Sequence, residues 1–111
     1  MQTAAGADID SFSTSSAAAW AAPTPTITDE NTWGWIGVTT EDDDETFGNG
    51  ADTYIGLNGT AALQVFAHNG PANGSTADAG ATKVGYSIAI TDMQEAGDYS
   101  NTLTYICTPT Y

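Results

Sequence analysis

A chain of 111 residues has room for one domain with a modest core and not for two. One Lys+Arg (Lys83) against fourteen Asp+Glu gives a net charge of −13. That balance argues against nucleic acid and against an anionic membrane surface, since both need clustered Lys and Arg. Charged residues are only 14% of the chain, below the roughly 25% of ordinary soluble domains. Thr, Ser, Asn and Gly supply the polarity instead, a composition that suits a secreted protein.

In chain order, residues 1–25 read as an N-terminal arm, or incomplete first strands, before a sandwich domain over residues 26–111. No secretory leader or membrane-spanning run is evident, since Met1-Gln2-Thr3 lacks a basic and an apolar region. The arm is rich in Ala, Ser and Thr, with Ile9, Phe12 and Trp20 as its apolar anchors. Its Ala17-Ala18-Ala19-Trp20-Ala21-Ala22 run is long enough only for a helical turn. Pro23 and Pro25 then impose extended backbone.

Residues 31–40 (NTWGWIGVTT) predict a strand, with Trp33, Trp35 and Gly37 on one face and Thr32, Gly34, Ile36 and Val38 on the other. An acidic run, Glu41-Asp42-Asp43-Asp44-Glu45, and Gly48-Asn49-Gly50 make a loop. Residues 53–57 are a short strand candidate ending at the turn signal Asn58-Gly59. Residues 61–68 (AALQVFAH) predict another strand, and residues 69–81 a long loop. Residues 82–91 (TKVGYSIAIT) predict a strand with Val84, Tyr86, Ile88 and Ile90 on one face. After a Gly-bearing link, residues 100–111 (SNTLTYICTPTY) predict a last strand running to the terminus.

Four or five strands and little helix indicate an all-β antiparallel sandwich of immunoglobulin-like type. Such sandwiches use about seven strands. The missing ones come from the arm, from an upstream segment or from a neighbouring subunit.

Chemistry is sparse. Ca²⁺ takes six to eight oxygens, and Asp42, Asp44 and Asp52 are the candidate ligands; no other cofactor is expected. The acidic run lacks the alternating spacing of an EF-hand, and a solvated loop tip is the plain alternative. His68 has no accompanying nucleophile motif. No carboxylate pair is marked by an apolar setting, so no catalytic or cofactor-binding residues are assigned. Trp20, Trp33, Trp35 and Tyr54 could form a sugar platform or part of the core. Asn58-Gly59-Thr60 and Asn73-Gly74-Ser75 match glycosylation acceptors and also read as turns. Cys107, the single cysteine, cannot form an internal disulfide and is expected to be a small buried hydrophobe. Tyr99, after Ala96-Gly97-Asp98, is placed to pin a corner by its hydroxyl.

Asn31-Thr32-Trp33-Gly34-Trp35, then Val84-Gly85-Tyr86, then Gln94-Glu95-Ala96-Gly97-Asp98-Tyr99, then the ending Thr104-Tyr105-Ile106-Cys107-Thr108-Pro109-Thr110-Tyr111 resemble, in this order, the carboxy-terminal part of secreted bacterial surface proteins, including those of candidate-phylum lineages. The resemblance implies an extracellular β-rich module with further strands upstream, and it carries over no catalytic or binding residue. The expected function is therefore a non-catalytic subunit of a bacterial surface layer or a filament of the fimbrial or pilus kind. It would be secreted, displayed on the cell surface, and built as a homopolymer by β-strand contacts, with Ile9, Phe12 and Trp20 seated on the neighbour. The alternative is an adhesin module that binds a glycan or a protein partner.

Overall fold

The computed structural model describes residues 8–13, 15–48, 52–76 and 80–109. Residues 1–7 of the expected arm, Asn49 and Gly50 of the Gly48-Asn49-Gly50 loop, and residues 110–111 of the expected last strand lie outside the described residues. The regular structure is all β. Five strands form two sheets, and no α-helix occurs among the described residues.

The spine is an antiparallel pair. β3 (Gly34–Thr40) runs against β5 (Val84–Ile90) in unbroken register from Gly34↔Ile90 to Thr40↔Val84. Both follow from period-2 alternation with β-branched and aromatic residues. The opposite side of β3 is taken by β1 (Asp10–Ser11), parallel at Asp10↔Trp35 and Ser11↔Ile36. Further along that side, Val38 exchanges both main-chain bonds with Ile55 at 2.8 and 3.0 Å. The sheet order is therefore β1-β3-β5. A separate antiparallel pair joins β2 (Ala18–Ala19) to β4 (Thr53–Tyr54).

Cross-strand partners share a face, so β3 and β5 together define two faces. One carries Trp35, Gly37 and Thr39 beside Ala89, Ser87 and Gly85. Here the arm docks: Phe12 lies 4.9 Å from Trp20 and 5.7 Å from Trp35, and Trp20 lies 5.2 Å from Tyr54, measured between ring centres. Gly37 makes room for them, since a Cβ there would come within 2.8 Å of Trp20. The other face carries Gly34, Ile36, Val38 and Thr40 beside Ile90, Ile88, Tyr86 and Val84. Its β3 half is buried, and Ile9, Phe12, Ile36, Val38 and Phe47 are the buried apolar core.

Several expectations are corrected. The Ala17–Ala22 run is not a helical turn, because pairing with β4 holds Ala18 and Ala19 extended. Asn31 and Thr32 belong to a 3-10 turn, Glu30–Thr32, capped by the Asp29 carboxylate, so β3 starts only at Gly34. Residues 61–68 form no ladder. Their main chain is instead held by side chains: Thr40 Oγ1 donates to the Val65 carbonyl at 2.8 Å, and the Ala67 N–H donates to Asp42 at 2.9 Å. Ser100 makes a single β-bridge, and residues 101–109 form no strand ladder either.

Ile9, Phe12 and Trp20 sit within the chain's own fold. Ile9 and Phe12 are buried and Trp20 is half-buried, so the expected subunit contact through them is replaced by an internal one. The docking is tight. The Gly56 N–H donates to the Ser13 carbonyl at 3.0 Å, and a Cβ on Gly56 would overlap the Phe12 carbonyl. Gly56→Ala is expected to lower stability by about 1–3 kcal/mol, the usual cost of overpacking, with Trp fluorescence reporting a loosened arm.

Candidate functional site

The feature with the most unspent capacity is β5. The Glu41 N–H donates to Lys83 O and the Thr91 N–H donates to Trp33 O, at 3.0 and 2.8 Å. These bonds fix the parity of the ladder: odd-numbered residues of β5 turn their N–H and C=O toward β3. Val84, Tyr86, Ile88 and Ile90 therefore turn theirs outward. Among the described residues nothing pairs with that edge. The same residues carry the uncovered half of the apolar face, with Tyr86 42%, Ile88 50% and Ile90 61% exposed. An open edge and an uncovered apolar strip coincide on one strand.

The link after β5 is tied down on the far side of the sheet. Gln94 Nε2 donates to the Asp8 carbonyl at 2.9 Å and to the Tyr99 hydroxyl at 2.7 Å. Tyr99 in turn donates to the Glu95 carbonyl at 2.7 Å, so it does pin the corner. Asp8 leads into β1, across β3 from β5. The tail that follows is exposed from Ser100 to Pro109, including Leu103, Tyr105 and Ile106. It meets β5 through a hydrogen bond between the Tyr105 and Tyr86 hydroxyls. Burial first, then that hydrogen bond, push the Tyr86 hydroxyl up to about 12 from 10.0. Cys107 is exposed, not buried as expected, because the strand that would have covered it does not pair.

The acidic loop is built around Asp42, which is wholly buried. Its two oxygens accept from the Asp44 N–H and the Ala67 N–H, each at 2.9 Å. Carboxylate oxygens of Asp42, Asp43 and Asp44 lie within 4.8 Å of one another. Of the expected trio, Asp42 and Asp44 come together. Asp52 is not in the group; it is exposed, with a backbone φ of +52°, and Asp43 takes its place. To a divalent cation the loop offers the exposed carboxylates of Asp43 and Asp44 beside a third whose oxygens already hold main chain. Lys83 pairs with Glu41 at 3.4 Å, an exposed ion pair, and such pairs contribute little.

The other candidates are engaged locally. Trp33 and Trp35 donate their indole N–H to the Thr26 and Ala21 carbonyls, both at 2.9 Å. The rings of Phe12, Trp20, Trp35 and Tyr54 are tilted 47–59° to one another, a packed cluster rather than a flat sugar platform. His68 stacks on Phe66 and faces the Pro71 carbonyl at 3.4 Å. Asn58 and Asn73 each accept main-chain N–H bonds in exposed turns.

The chain matches no family model, no curated protein and no solved structure.

Asp10 is a carboxylate raised by its surroundings. Burial, then the charges of Asp8 and Glu30, push it above its ordinary 3.8, and one of its oxygens is buried without a partner. A raised acid binds its proton more tightly in the folded state, so its contribution to stability falls as pH rises from 3.8 through the folded value. Asp10→Asn is therefore expected to raise the melting temperature at pH 7. The gain should vanish below about pH 3.8, and thermal melts across pH 3–7 would read it.

Proposed function

We propose that this protein is a non-catalytic structural subunit that assembles with copies of itself by adding a strand at the β5 edge. The observation that carries the reading is the coincidence on β5 of unpaired main chain and uncovered Tyr86, Ile88 and Ile90. An edge of this kind recruits a strand: main-chain bonds supply affinity, and alternate side chains supply the fit. Addition there would extend the three-stranded sheet and cover its apolar half, moving the molecule toward a complete immunoglobulin-like sandwich. Repetition of a head-to-tail contact gives an open fibre. The hydroxyl-rich, Lys-poor composition and the resemblance to secreted bacterial surface proteins support a place in an extracellular layer or filament. The indole N–H bonds and the tilted aromatic cluster favour this reading over a glycan-binding adhesin.

Charge makes the proposal testable. Copies carrying −13 each repel one another, and the Debye length falls from about 30 Å at 0.01 M salt to about 8 Å at 0.15 M. Sedimentation and light scattering are expected to show monomer in dilute low-salt solution and growing particles as salt and concentration rise. A single monomeric species across that range would refute it.

A further inference from the structure

We infer that the strand received at the β5 edge is the tail of a second copy, residues 101–109. This rests on the self-assembly reading above and names its donor. Each chain holds two unsatisfied halves of a strand pair. One is the outward edge of β5. The other is the tail, whose main chain makes no ladder among the described residues; the Thr102 N–H donates to the neighbouring Asn101 side chain.

The two halves match. The tail Asn-Thr-Leu-Thr-Tyr-Ile-Cys-Thr-Pro is rich in β-branched and aromatic residues and is long enough for the seven residues of β5. Leu103, Tyr105 and Cys107 fall on one face by period 2, and that face continues the apolar strip of Tyr86, Ile88 and Ile90. Pro109 has no N–H and ends the pairing. Charge selects the same contact. In a chain of −13, neither β5 nor the tail carries an Asp, Glu, Lys, Arg or His, so the seam joins two strips free of formal charge.

Within one chain the halves are kept apart. The link is anchored by Gln94 to Asp8, on the β1 side of β3. The tail's contact with its own β5 is by hydroxyl tips, not main chain. Between copies that restraint is absent.

Cys107, the single cysteine, is the reporter. The unaltered chain would be mixed at equal concentration with a chain carrying Ile88→Cys and Cys107→Ser, under mild oxidation in assembly salt. A third chain, Thr28→Cys with Cys107→Ser, supplies an exposed cysteine outside β5. The expected result is a disulfide-linked dimer between the first two chains, at least about tenfold above the Thr28→Cys mixture. Particles by light scattering with no excess crosslink would overturn the tail as donor while leaving self-assembly standing. Neither particles nor crosslink would overturn both. Ile88→Cys in the chain that keeps Cys107, closing only an internal disulfide in a monomer, would place the tail on its own edge and overturn the exchange.

Discussion

Ile88→Pro is expected to abolish assembly while leaving the monomer folded, and Ser87→Pro, one residue away, is expected to unfold it. The difference lies in ladder parity. The Ile88 N–H points outward from β3 and has no partner within the chain, so proline removes a donor that only an incoming strand would use. Its ring also crowds the edge. The incoming strand's carbonyl is left without its donor, a loss of about 1–3 kcal/mol at the contact, about 5- to 150-fold in dissociation constant. The Ser87 N–H faces Gly37 across the ladder, so proline there breaks the seven-residue pairing that forms the spine. Circular dichroism melts and light scattering on the two variants would read both effects. Equal melting losses would mean that the assigned parity is wrong.

Asp42→Ala is expected to be the most destabilising substitution in the acidic loop. The carboxylate is fully buried and holds two main-chain N–H groups, one of them at Ala67, 25 residues away. Removing it leaves both donors without their acceptor, at about 3 kcal/mol together, or about 10–20 °C in melting temperature for a domain of this size. Asp42→Asn keeps one acceptor and sets an NH₂ against the other N–H, so an intermediate loss is expected. Asp43→Ala and Asp44→Ala change exposed side chains and should shift the melt little. If calcium rather than main-chain support were the loop's role, all three variants would melt alike without calcium and differ only with it.

The two long strands were legible because alternation with β-branched and aromatic residues is a local signal, and the face assignment of β3 and β5 follows from it. Which face is covered is not local. Val84, Tyr86, Ile88 and Ile90 read as a core-facing set, yet the structure leaves three of them substantially exposed. The sequence pattern marks an apolar face without saying what fills the space above it.

The tail shows the same limit. Its β propensity is plain, but its pairing depends on Gln94 reaching Asp8, 86 residues earlier in the chain. Ile9, Phe12 and Trp20 were recognisable as anchors, but whether they seat on their own sheet or a neighbour's depends on the close approach of Gly56 to Phe12. In the loop, the clustering of carboxylates offered Asp42, Asp44 and Asp52 as ligands. The Asx turn closed by Asp42 on Asp44 instead folds Asp43 into the group and leaves Asp52 outside it.

Residue-resolved amide exchange along β5 tests the central claim most directly. In dilute low-salt monomer, Gly85, Ser87 and Ala89 should be protected, while Val84, Tyr86, Ile88 and Ile90 exchange freely. In assembled material the second set should slow to match the first. Free exchange of those four amides in the particles, or their protection already in the monomer, would contradict an edge closed by a second copy.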